Sequence, residues 1–331
     1  MTDKHRDPRQ DEPPITLLAI VGPTAVGKSA VAMRIAPELG AEIISVDSMQ
    51  VYRGMDIGTS KPDEIDMEKV QFHLVDVSDP GCDFSVAAFK EMAEGAVRDV
   101  AARGKLPMLV GGSGLYYRAV VDDLDFAGVR GEGRSGREPA GDISDRELHA
   151  TLERSDPAAA REIDPSNRKR VIRAIEVARG GGRLISARQD SWVEYRSPYR
   201  LVAAGLEMDR ALMYQLIDLR VDRMISMGLA DEVRRLKLEG LRAGSTAGEA
   251  LGYRQLLRYI DGDSTLDDAV GEIKRRTRQF ARRQITWFRK DPRVMWFRVE
   301  GKAGDRKEDV EQGLERAAAL VLEYIAGKLE N

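Results

Sequence analysis

Ile15-Thr-Leu-Leu-Ala-Ile-Val-Gly22 runs directly into Gly22-Pro-Thr-Ala-Val-Gly-Lys-Ser29. An unbroken apolar run closing on glycine reads as a strand buried on both faces, as in a parallel sheet. The segment starting at that glycine meets G-x-x-x-x-G-K-[ST] at every fixed position. A helix is expected from there to about residue 35, with Pro37 just beyond its end. Gly22, Pro23, Thr24, Ala25, Val26, Gly27, Lys28 and Ser29 are therefore the candidate phosphate cradle. The two glycines let the backbone curl so that loop N–H groups face phosphate oxygens. The helix N-terminus adds about 0.3–1 kcal/mol per charge. Lys28 supplies a full charge, and Ser29 offers a hydroxyl to a magnesium ion, the one cofactor expected. A chance glycine turn is the bland alternative, and the flanking strand and helix argue against it. The motif demands a diphosphate or triphosphate ligand without saying which, so ATP or GTP binding, as in a kinase, is the default.

Working outward, residues 41–47 form a second apolar run ending at Asp47. His73 to Val77 is a shorter strand candidate, and Ser85 to Arg103 has helical spacing. Pro107-Met-Leu-Val-Gly-Gly-Ser-Gly114 is another buried strand entering a glycine turn. This alternation predicts an α/β fold: a P-loop core whose parallel sheet is flanked by helices. Residues 127–142 are glycine-rich and charged and read as a mobile loop. Helices are expected at 145–155 and 166–179, a strand at 201–206, and helices at 210–239, 249–260 and 266–289. A last strand at 294–299 and a helix at 307–328 complete the reading. The domains that follow are a disordered tail over 1–14, a core made of 15–120 and 200–331, and a mainly helical insertion over 121–199.

The apolar content of 42% and charged content of 32% fit an ordinary globular protein. No apolar run is long enough for a membrane span. The charged tail is no secretory signal. A lone Cys82 excludes an intrachain disulfide and a multi-cysteine metal site, and a cytoplasmic monomer is expected. The net charge of −3 disfavours a polyanion partner until its distribution is considered. No acid occurs between Lys274 and Lys290, where Arg275, Arg276, Arg278, Arg282, Arg283 and Arg289 also fall. On a helical wheel Val270, Ile273, Thr277, Phe280, Ala281, Ile285 and Phe288 share one side and the cations cover much of the rest. A solvated surface helix is the bland reading, but such faces normally mix in acids, so phosphate-backbone binding is favoured. Lys169, Arg170 and Arg173 form a smaller patch. Trp287 fits a core position better than a stacking platform on pattern alone. His73 reads as structural.

Asp47 lies at the carboxyl end of a strand, where such sheets bind ligands. It could order a magnesium ion, cap a turn, or act as a general base. Here the residues resemble the tRNA dimethylallyltransferase family. The resemblance is carried by GPTAVGKS (22–29), ISVDSMQVYRGMDIGTSKP (44–62), HLVDV (73–77), LVGGSGLYYRA (109–119), RVIRAIEV (170–177), RVDRMISMGLADEV (220–233), ALGYRQ (250–255) and RRQITWFR (282–289). The blocks run from about residue 15 to about residue 300. Ser29 and Ser113 depart from a frequent threonine, the 127–142 loop is idiosyncratic, and the N-terminal tail has no family counterpart.

The resemblance implies that the cradle holds dimethylallyl diphosphate instead of ATP. The acceptor would be the exocyclic amine of the adenosine 3′-adjacent to the anticodon, flipped out of the stack in a tRNA anticodon stem-loop. Asp47 would take the amine proton, Thr24 would bond near the reacting centre, and Arg220 would reach the diphosphate beside Lys28. Contacts to tRNA would come from Asp47, Ser48, Met49, Gln50, Ser113, Lys169, Arg170, Arg173, Gly252, Tyr253 and Arg254. Lys274, Arg275, Arg278, Arg282, Arg283, Gln284 and Trp287 would complete that surface. The competing readings are transfer onto free AMP or ATP, as in adenylate isopentenyltransferases, and an NTP-dependent kinase. The insertion and the basic helix favour a large RNA acceptor.

Overall fold

The computed structural model describes residues 13–122, 124, 143–179 and 194–330, without the side chain of Lys169. The expected tail, apart from Pro13 and Pro14, and the 127–142 loop lie outside the described residues. The first half of the core runs β1 (Thr16–Val21), α1 (Lys28–Leu39), β2 (Ala41–Val46), α2 (Glu64–Lys69), β3 (Phe72–His73), α3 (Val86–Ala102), β4 (Leu106–Gly111) and α4 (Gly114–Val121). Next come α5 (Asp145–Ser155), α6 (Pro157–Glu162) and α7 (Arg168–Arg179). The chain then returns through β5 (Arg200–Met208), α8 (Arg210–Ser226), α9 (Leu229–Leu238), α10 (Tyr253–Ile260), α11 (Leu266–Phe288), β6 (Val294–Val299) and α12 (Lys307–Leu329).

The six strands form one sheet in the order β3-β2-β4-β1-β5-β6, every pair parallel. The expected α/β class with helices on both faces is thus observed. Side chains alternate across the pleat. Leu18 and Ile20 face a layer built with Val31 and Ile35 of α1 and Val321 and Ile325 of α12. Leu17, Ala19 and Val21 face Phe89 and Val97 of α3 and Tyr117 of α4. Strand β1 is buried on both sides because each face has its own helical cover.

Register explains where the site forms. Val21 lies level with Gly111 and Gly205, and Val46 is also level with Gly111. The loops leaving β1, β2 and β4 therefore open at one height, at the carboxyl edge where a ligand crevice is expected. A third apolar cluster, from α8 to α11 with Val51, Tyr52 and Met55, builds the wall facing that edge. Helices α5, α6 and α7 pack on one another through Leu148, Leu152, Ala160, Val171 and Ile175.

Several boundaries differ from expectation for local reasons. Helix α1 continues to Leu39 with Pro37 in its last turn, and Gly40 (φ 59°) closes it by donating to the carbonyls of Ala36 and Pro37. The strand expected at 73–77 stops at His73, because Leu74 (φ 62°) and Asp76 (φ 56°) turn the chain aside. The single helix expected over 210–239 is two, broken at Gly228 with φ 95°. Helix α10 begins at Tyr253, not at 249, behind Gly252 with φ 92°. Short α2 was not expected; Asp63 caps it by accepting the Asp66 N–H.

Candidate active site

The phosphate loop takes the shape its composition allows. Gly22 (φ 144°), Ala25 (φ 65°) and Gly27 (φ 93°) all lie at positive φ. A Cβ at Gly22 would come within 2.6 Å of the Leu206 carbonyl oxygen, and one at Gly27 within 2.2 Å of Leu314 Cδ2. Ala25 accepts a left-handed backbone without being glycine, a strain that typically collects at ligand sites. Lys28 Nζ donates to the Pro23 carbonyl at 2.6 Å, folding the side chain back over the loop.

Lys28 shares its surroundings with Arg220 of α8 and Asp47, which follows β2. Desolvation first, then the Arg220 guanidinium, push the Lys28 ammonium down to about 7, against the pull of Asp47. Arg220 is also lowered by desolvation, with Asp47 opposing. At the phosphate loop Lys28 and Arg220 thus stand against Asp47, an excess of positive charge that a diphosphate would neutralise. Asp47 Oδ1 accepts the Met49 N–H at 2.9 Å, which orients the carboxylate.

Three loops are tied together above the sheet. Gln284 of α11 accepts the Thr24 N–H at 2.8 Å and donates to the Gly112 carbonyl at 2.9 Å. Ser113 Oγ accepts the Ser48 N–H at 3.1 Å. The loops after β1, β2 and β4 are therefore cross-linked by side-chain bonds. Beneath them lies a cavity of about 360 Å³. Thr24, Asp47, Ser113, Arg220 and Gln284 line it beside the phosphate loop, while Val221, Met224, Leu229, Leu251, Ile273 and Phe280 supply apolar wall. It can hold an anionic group at the loop and an apolar or aromatic body beyond it.

Placement of the expected residues is uneven. Thr24, Asp47, Ser48, Met49, Ser113, Arg220, Gly252, Tyr253, Arg283 and Gln284 all line the cavity. Gln50 does not. It accepts the Ser45 hydroxyl at 2.7 Å and donates to the carbonyls of Thr59 and Ser60, so it braces the following loop. Tyr253 is fully buried and donates its hydroxyl to Glu232 at 2.6 Å, which makes it part of the wall. Gln284 is also buried, with both polar atoms engaged by the backbone bonds above. Ser29 is exposed on the first turn of α1 and does not line the main cavity.

The cationic surface is narrower than the sequence suggests. Acids missing from the stretch of α11 after Glu272 are supplied by α8: Lys274 pairs with Asp222 at 2.6 Å and Arg278 with Asp218 at 2.7 Å. Arg275 lies 3.6 Å from Glu272, Arg289 pairs with Glu207 at 2.7 Å, and Arg254 with Glu249 at 3.0 Å. Among the described residues, Arg282, Arg283 and Lys290 have no carboxylate partner. They line one groove with Trp287, whose 40% exposure corrects the expectation of a core tryptophan. A Cβ at Gly114 would come within 2.2 Å of that indole. On α7, Arg170 is exposed and Arg173 pairs with Glu176 at 3.0 Å. The Lys169 side chain lies outside the described residues. His73 binds Glu42 at 2.7 Å, a structural role as expected.

Glu232 escaped the sequence reading. Its carboxylate accepts the N–H groups of Asp56 (3.1 Å), Ile57 (2.8 Å) and Gly58 (3.4 Å) as well as the Tyr253 hydroxyl. Desolvation, then the adjacent Glu232 charge, hold the Tyr253 phenol well above its ordinary value. Together they set the loop that brings Gly58 and Thr59 to the cavity. The available signal was an acid on the apolar stripe of Leu229, Val233 and Leu236.

Comparison with known proteins now adds to this geometry. Residues 50–291 match the family described as IPP transferase, and residues 15–79 match the description isopentenyl transferase. A tRNA dimethylallyltransferase of Carboxydothermus hydrogenoformans is 46% identical over 85% of this chain and 91% of its own length. One from Halalkalibacterium halodurans is 40% identical over 95% and 98%. The crystal structure of a full-length tRNA isopentenylpyrophosphate transferase from Bacillus halodurans superposes with a TM-score of 0.65, at 39% identity, covering 95% of this chain and 99% of that one. A eukaryotic dimethylallyltransferase structure superposes with a TM-score of 0.74 at 23% identity, covering 95% of this chain and 80% of that one, a likeness of fold alone.

Proposed function

Because the chain belongs to the IPP transferase family, whose curated relatives are tRNA dimethylallyltransferases, we propose that it moves a dimethylallyl group from dimethylallyl diphosphate to a tRNA adenosine. The acceptor is the 6-amino group of the adenosine 3′-adjacent to the anticodon, and diphosphate is released. The observation that carries this reading is the single cavity that joins Thr24, Asp47 and Arg220 to an apolar wall. The cation excess at Lys28 and Arg220 suits a diphosphate, and the wall suits a prenyl chain and a flipped base.

The chemistry follows from these groups. The bond from the allylic carbon to the diphosphate oxygen breaks while a bond from that carbon to the adenine nitrogen forms. Negative charge grows on the leaving group, where Lys28, Arg220 and the loop N–H groups oppose it. One such preorganised donor is typically worth about 2.7–4 kcal/mol of barrier. The nitrogen becomes acidic as it alkylates, and Asp47 accepts its proton. A general base of this kind contributes about 100–10,000-fold. Flipping an unpaired loop base costs a few kcal/mol at most.

Magnesium belongs to the same proposal. Among the described residues no cluster of His, Cys, Asp or Glu forms a metal cage. The exposed Ser29 hydroxyl fits an ion held mainly by phosphate oxygens and water. When bound, the ion would neutralise leaving-group charge. No helix among the described residues is long and apolar enough to cross a membrane. A cytoplasmic monomer is the form proposed.

The test is transfer of labelled dimethylallyl diphosphate, with magnesium, to unmodified tRNA, AMP and ATP in separate reactions. Label is expected on tRNA and lost when the target adenosine is changed to guanosine. Label on AMP or ATP instead would reassign the acceptor. ATP consumption without label transfer would return the chain to the NTP-dependent phosphate-loop enzymes.

A further inference from the structure

The last helix of the chain stands behind the phosphate loop. Helix α12 lays Ala318, Val321 and Ile325 into the same apolar layer as Val31, Ala32 and Ile35 of α1, the helix that leaves the loop. Arg34 of α1 also pairs with Glu311 of α12. At Leu314 the contact reaches the loop itself. A Cβ at Gly27 would lie 2.2 Å from Leu314 Cδ2 and 3.5 Å from its other methyl, so the isobutyl group rests against the Gly27 backbone. Val26, just ahead, is fully buried in the layer that Leu314 packs against.

Gly27 needs such a support. At φ 93° it occupies a region that glycine enters and leaves freely, so its own chemistry fixes nothing. Apart from its chain neighbours, the three atoms nearest to a Cβ there all belong to Leu314. The rest of the loop is held otherwise: Gly22 lies against the β5 backbone at Leu206, and the Thr24 N–H is bound by Gln284. The place of Leu314 is itself set by backbone. A Cβ at the preceding Gly313 would come within 2.1 Å of the Glu300 carbonyl oxygen, so α12 crosses the end of β6 at closest approach. The connection between them is tied to α8, the helix of Arg220, because the Gly304 N–H donates to Gln215 at 2.7 Å. Leu314 does not line the main cavity, and α12 lies beyond residue 291, where the family match ends.

We propose that Leu314 is a positioning residue of the diphosphate cradle. It braces Gly27, and so holds the loop N–H groups and the adjoining Lys28 in the one shape that meets a diphosphate. The proposal rests on the diphosphate reading of the loop given above. A loop whose binding shape is one of several binds in proportion to the population of that shape. Loss of the brace therefore weakens binding and leaves the chemical step of the filled site unchanged.

Calorimetry with inorganic diphosphate and magnesium reads the cradle in the full chain, without tRNA or prenyl transfer. Leu314→Ala should weaken binding by about 2- to 30-fold. In transfer assays KM for dimethylallyl diphosphate should rise by the same factor, with kcat and KM for tRNA within about twofold. Leu314→Met, close in volume, should restore the affinity to within about twofold. Leu322→Ala truncates a leucine of the same helix packed on the same layer, about 12 Å further along the axis. It should lower the melting temperature comparably and leave diphosphate affinity within about twofold. If Leu314→Ala does not fold, Leu314→Val should shift the affinity in the same direction. Unchanged affinity in the Leu314 variants, or equal weakening by Leu322→Ala, would overturn the brace. Weakened diphosphate binding in a chain that fails to prenylate tRNA would support the brace while removing the function proposed for the site. An unsubstituted chain that binds no diphosphate would overturn the cradle and the brace with it.

Discussion

Gln284 holds the Thr24 backbone from the far end of the chain: its Oε1 accepts the Thr24 N–H at 2.8 Å. Its Nε2 donates to the Gly112 carbonyl at 2.9 Å, so one buried amide from α11 couples the phosphate loop to the β4 turn. The helix that offers Arg282, Arg283 and Trp287 to solvent therefore also holds the loop that carries Lys28.

Replacing Gln284 by leucine should leave the Thr24 N–H and Gly112 carbonyl unpartnered in a buried place. Such losses cost about 1–3 kcal/mol, enough to loosen the loop by roughly 5- to 150-fold in equilibrium terms. The expected result is a raised KM for dimethylallyl diphosphate and a lower melting temperature. Steady-state kinetics and thermal unfolding check it, and unchanged values in both would show the bridge to be idle.

Binding of the proposed diphosphate should depend on pH through Lys28. In the free site its ammonium is pushed down to about 7. A bound diphosphate replaces unbalanced repulsion from Arg220 with attraction, so the ammonium is favoured in the complex. Below pH 7 the group is already charged and contributes no pH dependence. Above pH 7 binding must take up a proton, and affinity falls as pH rises toward the raised value of the complex. Calorimetry at pH 8 in buffers of differing ionisation enthalpy should show proton uptake. Lys28→Arg should remove it.

The unpaired cations should matter more for RNA than the paired ones. Replacing Arg282, Arg283 and Lys290 together by alanine should reduce the log–log salt slope of tRNA binding by about 2–3, since each phosphate contact contributes about 0.7–0.9. Replacing Lys274 and Arg278 frees Asp222 and Asp218 and should change the slope less. Filter binding across a salt series separates the two, and an equal effect would contradict the pairing seen here.

Much of this arrangement was legible in the sequence because its signals are local. The run at 15–22, the loop motif and the glycine turn at 111–114 each declare their element and its end. Long-range partnerships were not legible. The stretch from Lys274 to Lys290 reads as free of acid partners because Asp218 and Asp222 belong to another helix. Gln284 reads as an RNA contact because nothing near it in sequence announces Thr24 or Gly112. Gln50 lies in a loop and Tyr253 at a helix start beside the crevice, yet their polar atoms turn to Ser45 and Glu232. Glu232 carried a readable signal, an acid at an apolar helix position, whose meaning depends on backbone N–H groups from a distant loop.

Single-turnover transfer by Asp47→Asn, at saturating dimethylallyl diphosphate and tRNA, isolates the part played by the carboxylate. The exchange keeps the shape and the acceptor for the Met49 N–H but removes the base. The expected rate is lower by about 100–10,000-fold with both substrates still bound. Transfer at the unsubstituted rate would take Asp47 out of the chemistry and with it the mechanism assigned to this cavity.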